Sequence, residues 1–188
     1  SSGTSMARPH IAGIAAGVLQ RVKATDVFQN LSTYRQGELV DALLMSTAVP
    51  LRDPDGMLYS PRSQGAGLAN MEAAVATLGY LTNINGKPAK GELGSNRYSF
   101  YVHNFGDKPQ SYQLNTSVLV PGIYEEDGVQ FMADQDRPLT QEEYTLTYSG
   151  NVEHGKVTVP AGGRARVTVQ IDLTEKGKGN LDVFPNGI

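Results

Sequence analysis

The chain has 188 residues, of which 39 % are hydrophobic and 19 % charged, and its formal net charge is −3. This composition is typical of one or two folded globular domains and excludes a disordered or fibrous chain. A weak negative charge gives no support to nucleic-acid binding, no apolar run reaches the length of a membrane span, and the absence of cysteine excludes disulfides and thiolate metal sites.

The first 79 residues carry helical patterns. Residues 5–24 place apolar side chains such as Ile11, Ile14 and Val18 three and four positions apart, which predicts a helix. A second helix is predicted over residues 35–48 and a shorter third one over 68–78, with a loop rich in Pro, Gly, Asp and Ser at 50–67. Because Gly13 and Gly17 would weaken an exposed helix, they indicate that the first helix is tightly packed.

Beyond residue 79 the apolar residues alternate with polar ones. This pattern covers residues 98–103, 112–116, 144–148 and 164–171, and turn sequences such as Asn85-Gly86 and Pro121-Gly122 separate the runs. Short alternating strands with such turns predict an antiparallel β-sandwich. The expected fold class is therefore α+β, with the helices first and the sandwich after them.

The run from Gly3 to Gly13, GTSMARPHIAG, places Ser5 at the first turn of the predicted helix. The first amides of a helix have no intrahelical acceptor and carry a partial positive charge. A serine there can attack a carbonyl while its own N–H donates to the oxygen that becomes negative, as acyl transfer requires. The alternative interpretation is that the serine merely caps the helix.

This run resembles the serine-box signature of the subtilisin family, which implies that Ser5 is the nucleophile of a Ser-His-Asp triad. The residues that match the motif's other fixed positions are Gly3, Thr4, Met6, Ala7 and Pro9. The resemblance continues to about residue 79. Because subtilisins carry the triad in the order Asp, His, Ser, it implies that the Asp and the His lie upstream of Ser5. It therefore implies the C-terminal part of a peptidase domain that is inactive by itself.

The runs Tyr98–Gln110 and Val157–Gly163 resemble the fibronectin type III-like domain of cell-envelope proteinases of the lactocepin and streptococcal complement-cleaving type. The resemblance implies two domains: residues 1–79 as the helical C-terminal portion of a subtilisin-like α/β peptidase domain, and residues 80–188 as a truncated sandwich. Phe184–Ile188 would begin its next strand. The resemblance also implies a secreted bacterial protein at the cell surface or cell wall, acting on protein or peptide substrates.

No other residue is assigned to catalysis or metal binding. His10 lies five positions along the helix from Ser5 and is expected to point away from it, His103 lies on a predicted strand, and His154 lies in a turn-rich stretch. The acidic turn sequence Asp53–Gly56 lacks the other ligands of an EF-hand, so a β-turn is favoured over a calcium loop. No cofactor is assigned to the chain, although the resemblance leaves a structural calcium open for the full-length protein.

Two functions remain open at this point. The favoured one is a serine endopeptidase that hydrolyses peptide bonds through an acyl-enzyme on Ser5. The alternative is a non-catalytic β-sandwich with a binding or structural role and a degenerate peptidase remnant. The apolar face of the serine helix needs a cover, which an upstream peptidase segment, packing on the sandwich, or self-association burying Ile11, Ile14 and Val18 would provide.

Overall fold

The computed structural model describes residues 3–88 and 96–183, which form a helical unit followed by antiparallel sheets. The helices are α1 (Thr4–Lys23), α2 (Thr33–Thr47), α3 (Pro61–Gln64), α4 (Met71–Ala76) and α5 (Glu175–Val183), and a 3₁₀ turn at Asp26–Phe28 joins α1 to α2. The predicted α+β class is confirmed. The two long helices begin and end within two residues of their predicted bounds.

The strands are arranged in three antiparallel sheets. In the described ranges they are β1 (Gly79–Asn83), β2 (Arg97–Asn104), β3 (Gln110–Gln113), β4 (Leu119–Glu126), β5 (Val129–Pro138), β6 (Tyr144–Gly150), β7 (Val152–Glu153), β8 (Lys156–Val159) and β9 (Arg164–Leu173). One sheet has the order β1-β2-β9-β6, the second has the order β3-β8-β7, and β4 and β5 form a hairpin of their own. The first two sheets pack face to face and form the sandwich.

The helical unit has its own hydrophobic core, to which α1, α2 and α4 contribute. The buried side chains are Val18, Val22, Phe28, Leu39, Val40, Leu43 and Ala74. Gly17 faces α4, where an added side chain would meet the flexible end of Met71. The predicted packing of the first helix against a neighbour is thus seen at Gly17. Gly13 faces open space among the described residues.

The sandwich core is formed by the apolar residues of the strands whose alternating pattern the sequence predicts. Val157 and Val159 of β8 are 0 % exposed and pack with Val102, Ala165 and Val167 from the facing sheet. Every second residue of β8 and of the first four residues of β9 is therefore buried, and the residues between them face solvent. Strand β2 pairs with β9 in the register that places Val102 opposite Ala165.

The two cores meet at the start of the sandwich. Phe105, just after β2, makes an edge-to-face contact with Phe28, with ring centroids 4.9 Å apart. The guanidinium of Arg21 lies 5.7 Å from the Phe105 ring centre, and its Nε donates to the Val75 carbonyl at 3.1 Å. Through these direct contacts, α1 and α4 pack against the start of the sandwich.

Several details differ from the prediction. Helix α3 lies within the loop predicted at 50–67, and α4 is shorter than the helix predicted over 68–78. The Pro121-Gly122 pair does not form a turn but lies inside β4, at a β-bulge, where a side chain at position 122 would collide with the Gln135 carbonyl. The alternation at residues 112–116 forms a strand only as far as Gln113. Helix α5 follows β9 and was not predicted, and the strand expected at 184–188 lies outside the described residues.

Candidate active-site serine

The structure places Ser5 in the first turn of α1. Its side chain is exposed, and among the described residues it makes no hydrogen bond. The helix is preceded by Gly3, and no side chain caps it. The interpretation of Ser5 as a capping residue is therefore wrong, because the capping position belongs to Gly3 and the Ser5 hydroxyl contacts no amide of the turn.

Gly3 sets the direction in which the chain enters the helix. Its φ is 143°, a value that disfavours any side chain, and its carbonyl accepts from the amides of Met6 at 3.0 Å and Ala7 at 3.2 Å. The amides of Thr4 and Ser5 precede these donors and have no intrahelical acceptor. No acidic side chain lies in the first turn, so the partial positive charge of the helix start is not neutralised there.

Two neighbours on the helix act on the backbone rather than on the hydroxyl. Pro9 has no N–H, so the carbonyl of Ser5 lacks its usual helical donor. The His10 Nδ1 lies 2.9 Å from the Met6 carbonyl. Since a carbonyl can only accept, this nitrogen carries the proton and is engaged in a local hydrogen bond. The expectation that His10 points away from Ser5 is consistent with this contact.

The N-terminal half of α1 stands clear of the rest of the chain. Residues 3–13 are all exposed, with Met6 at 51 % and Ile11 at 45 %, whereas Val18 and Val22 farther along the same helix are 0 % exposed. Of the three side chains expected to lie in a self-association surface, Val18 is already covered within the core that includes α2 and α4, Ile14 is half-buried in the same core, and Ile11 is exposed. The apolar side chains near Ser5 remain available for contact with another segment.

The other two histidines hold structural positions. His103 lies on β2, stacks on Tyr80 with ring centroids 4.5 Å apart, and its Nε2 is hydrogen-bonded to Thr82 Oγ1 at 2.8 Å. Burial, with a smaller contribution from the positive charge of Arg164, lowers the pKa of His103 to about 4. His154 sits in a turn with a φ of 49° and an exposed ring.

A cleft of about 260 Å³ lies between α2 and the first strands of the sandwich. It is lined by Glu38 and Leu39 of α2 together with Tyr80, Thr82 and His103 of the sandwich. None of its lining residues belongs to α1, so this cleft is not a substrate site for Ser5.

The acidic turn at Asp53 uses its carboxylate within the backbone. Asp53 Oδ1 accepts from the amides of Asp55 at 2.9 Å and Met57 at 2.8 Å, and the Gly56 amide donates to the Asp53 carbonyl at 3.0 Å. This geometry confirms the β-turn interpretation. Within residues 3–88 and 96–183, no three His, Cys, Asp or Glu side chains converge.

Of the helices in the described ranges, none combines the length and the apolar composition that crossing a bilayer requires.

Comparison with known families divides the chain as the two resemblances do. The pattern of the Subtilase family matches residues 1–67, and that of the Fn3-like domain matches residues 91–184. The chain belongs to the subtilase family and carries an Fn3-like domain. Within the subtilase segment, α1 with Ser5 comes first, and α2 and α3 complete it.

Three relatives illustrate this membership. The C5a peptidase of Streptococcus pyogenes is 32 % identical over 191 residues, which cover 99 % of this chain and 15 % of that protein. The minor extracellular protease Vpr of Bacillus subtilis is 33 % identical over 131 residues, or 64 % of this chain and 14 % of that protein. The PII-type proteinase of Lacticaseibacillus paracasei is 38 % identical over 84 residues, or 41 % of this chain and 4 % of that protein. The chain thus spans a small part of each relative.

Sequence reasoning missed the residues that hold the subtilase segment on the Fn3-like domain. Arg21 and Phe105 connect α1 to the sandwich, and the Leu81 amide donates to Ser46 Oγ at 2.8 Å across the same junction. Phe105 follows Asn104 in a stretch with turn character, which carries no periodic signal for where this half-buried aromatic ring packs. Only the contact with Phe28, distant in sequence, makes its role visible.

Proposed function

We propose that this chain is the serine-bearing part of a secreted subtilisin-like serine endopeptidase, in which Ser5 attacks the carbonyl of a peptide bond and forms an acyl-enzyme. The observation that carries the proposal is the exposed Ser5 hydroxyl at the uncapped start of α1, within the segment that matches the Subtilase family. The names of the relatives, all peptidases or proteinases, support it.

In this mechanism the start of α1 stabilises the negative oxygen that forms during attack. The Ser5 amide has no intrahelical acceptor and lies beside the hydroxyl that attacks, so it can donate to the developing oxyanion. Gly3 leaves the approach to Ser5 open, since among the described residues a side chain built at that position would have a single heavy atom near it, the Ser5 Oγ at 3.9 Å. A polypeptide backbone can therefore reach the hydroxyl.

The hydroxyl also needs a base to accept its proton, and the described histidines do not serve. The His10 Nδ1 is bound to the Met6 carbonyl, His103 is packed between Tyr80 and Thr82, and His154 lies in an exposed turn. The proposal therefore requires a His and an Asp from a segment that precedes Ser5, in the triad order Asp, His, Ser. The 188-residue chain alone is then inert toward peptide bonds.

The Fn3-like domain braces the helix that carries Ser5. We assign residues 1–79 to the peptidase part and 80–188 to the sandwich, and the contacts of Phe105 with Phe28 and Arg21 fix one against the other. The exposed face of α1 around Met6 and Ile11 is the surface on which the rest of the peptidase domain would pack. We place the full-length protein at the bacterial cell surface, with proteins or peptides as its substrates.

The proposal is tested with a fluorophosphonate probe, which labels activated serines. The full-length protein that carries this segment should be labelled stoichiometrically, and its Ser5→Ala variant should lose both the label and the cleavage of a protein substrate. The isolated 188-residue chain should remain unlabelled under the same conditions. A full-length protein that resists the probe would support the non-catalytic module instead, and rapid labelling of the isolated chain would refute the need for an external His and Asp.

A further inference from the structure

The hairpin of β4 and β5 projects an apolar surface that nothing in the described chain covers. At its tip, defined here as residues 123–132, Ile123 pairs with Met132 and Tyr124 pairs with Phe131. Met132 is 63 % exposed and Tyr124 50 %, and the two aromatic rings stack with their centroids 5.4 Å apart. Opposed residues share a face and successive residues alternate, so both faces of the tip are apolar. Exposed apolar side chains grouped at the end of a hairpin indicate an interaction site.

The same hairpin accounts for the acidity of the chain. Residues 119–138 contain five acidic side chains and one basic one, Arg137, whereas the rest of the chain has 15 basic and 14 acidic residues and is net positive. Glu125, Glu126 and Asp127 are exposed beside the apolar pairs of the tip. Asp136, at the base of the hairpin, is buried and lies 3.7 Å from Arg62. The unneutralised acids therefore cluster at the tip.

The base of the hairpin is fixed to the subtilase segment. Tyr59 forms an antiparallel bridge with Gln135, and the Arg62–Asp136 ion pair joins α3 to β5. Val120 of β4 is 1 % exposed and belongs to a small core of the sandwich. The base is thus held by the same segment that carries Ser5, while the tip extends from it without cover.

We propose that the hairpin tip binds a cationic, partly apolar polypeptide, and, given the proposed function, that this polypeptide is a substrate held away from the site of cleavage. The apolar pairs would contact the partner's apolar side chains, and the carboxylates of Glu125, Glu126 and Asp127 would pair with its Lys and Arg side chains. The free backbone edges of the two strands add hydrogen-bond donors and acceptors for an extended chain.

Charge favours this occupant over two others. In a symmetric dimer formed through the tip, Glu125 and Glu126 would face the same acids of the second copy, and like charges across an interface disfavour association. An anionic membrane surface would repel the tip for the same reason. A basic polypeptide gains from both the carboxylates and the apolar side chains.

Binding is measured by isothermal titration of the 188-residue chain with a synthetic peptide of alternating leucine and lysine, and with its leucine–glutamate counterpart. We expect the leucine–lysine peptide to bind, with affinity falling as salt rises, and the glutamate peptide not to bind. The double variant Glu125→Gln/Glu126→Gln should weaken binding about fivefold. The matched control Glu72→Gln/Glu153→Gln removes two exposed acids from α4 and β7 and should leave the affinity unchanged.

The apolar part of the surface is tested separately. Tyr124→Ser/Phe131→Ser should weaken binding about tenfold, because it removes the stacked pair. The control Val27→Ser/Leu68→Ser changes side chains that are 64 % and 61 % exposed elsewhere in the chain, and should bind as the unchanged protein does. Far-ultraviolet circular dichroism of each variant verifies the fold, and since the two tip variants change different side chains, either one tests the proposal.

Several outcomes would overturn the proposal: equal binding of the glutamate peptide, equal losses in the tip and control variants, no binding at all, or hairpin-dependent self-association in sedimentation. Because the 188 residues contain no cysteine, Tyr124→Cys gives this chain a single labelling site. Position 124, located by peptide mass mapping, should label equally fast in the chain and in the full-length protein without peptide, and slow labelling only in the full-length protein would show that another segment covers the tip. Titration needs no catalysis, so the failure of this proposal and the failure of the proposed function are separate results.

Discussion

Replacing Ser5 by alanine separates a reactive serine from a capping one. Ser5 occupies the second position of α1, after Gly3 and Thr4, and no side chain caps this helix. Ser32 provides the contrast within the same chain, because it caps α2 and its Oγ accepts from the Arg35 amide at 3.3 Å. Both serines are exposed and both stand near a helix start, so they form a matched pair.

The expected magnitudes follow from these contacts. Ser5→Ala removes a solvated hydroxyl with no partner among the described residues and introduces a better helix former, so the free energy of unfolding should stay equal or rise by up to about 0.5 kcal/mol. Ser32→Ala removes the cap of α2 and should lower the free energy of unfolding by about 1 kcal/mol. The two substitutions are chemically identical, and only the position differs.

The assay is equilibrium urea unfolding of the 188-residue chain and its two variants. The midpoint should fall for Ser32→Ala and hold for Ser5→Ala, with equal denaturant slopes in all three proteins. If Ser5→Ala lowers the free energy of unfolding by about 1 kcal/mol or more, then Ser5 stabilises α1 and the argument for a free hydroxyl fails.

Three further predictions concern the free energy of unfolding, and they involve Asn104, Val18 with Ile11, and His103. Asn104→Ala should lower the free energy of unfolding in urea by about 3 kcal/mol. Asn104 is 2 % exposed, and its side-chain amide donates to three backbone carbonyls. A loss below about 1 kcal/mol would show that these hydrogen bonds contribute little. Val18→Ala should cost about 2 kcal/mol and Ile11→Ala much less, since only Val18 is fully buried; equal losses would mean that the chain associates through this helix in solution. His103 has a pKa of about 4 in the folded chain, well below its unfolded value of 6.5, so the unfolded state binds more protons between these pH values. Stability should therefore fall by about 1–2 kcal/mol, allowing for partial exposure, as pH drops from 6.5 to 4, and His103→Gln should remove this dependence.

Most of the helices and strands could be predicted, because the spacing of their apolar residues is visible within a short stretch of sequence. The apolar spacing around Val18 and Leu43 predicts helices, and the alternation through Val102 and Val167 predicts strands, and each pattern matches a face that is buried in the fold. The short helix α3 could not be predicted because four residues contain no period. The turn predicted at Pro121-Gly122 was wrong for a different reason, because the bulge in β4 accommodates both residues within a strand.

The expected burial of the serine helix depends on residues other than its own. Its spacing predicts one apolar face, and the fold covers only the half around Val18 and Val22, leaving Met6 and Ile11 exposed. Which half is covered depends on where α2 and α4 lie, and these helices are placed by contacts distant in sequence. An amphipathic pattern indicates that a face must be covered, and does not indicate by what.

The sequence alone determined the reactive-serine hypothesis, because the chemistry of Ser5 depends on a short run of neighbours and on a helix start that forms locally. It also determined the two-part α+β order, since both periodicities lie within short windows. The tertiary structure decided that Ser5 is exposed and caps nothing, that Phe105 joins the two cores, and that the acidic hairpin projects its apolar tip. These depend on which residues far apart in the chain come into contact, and no local period encodes that.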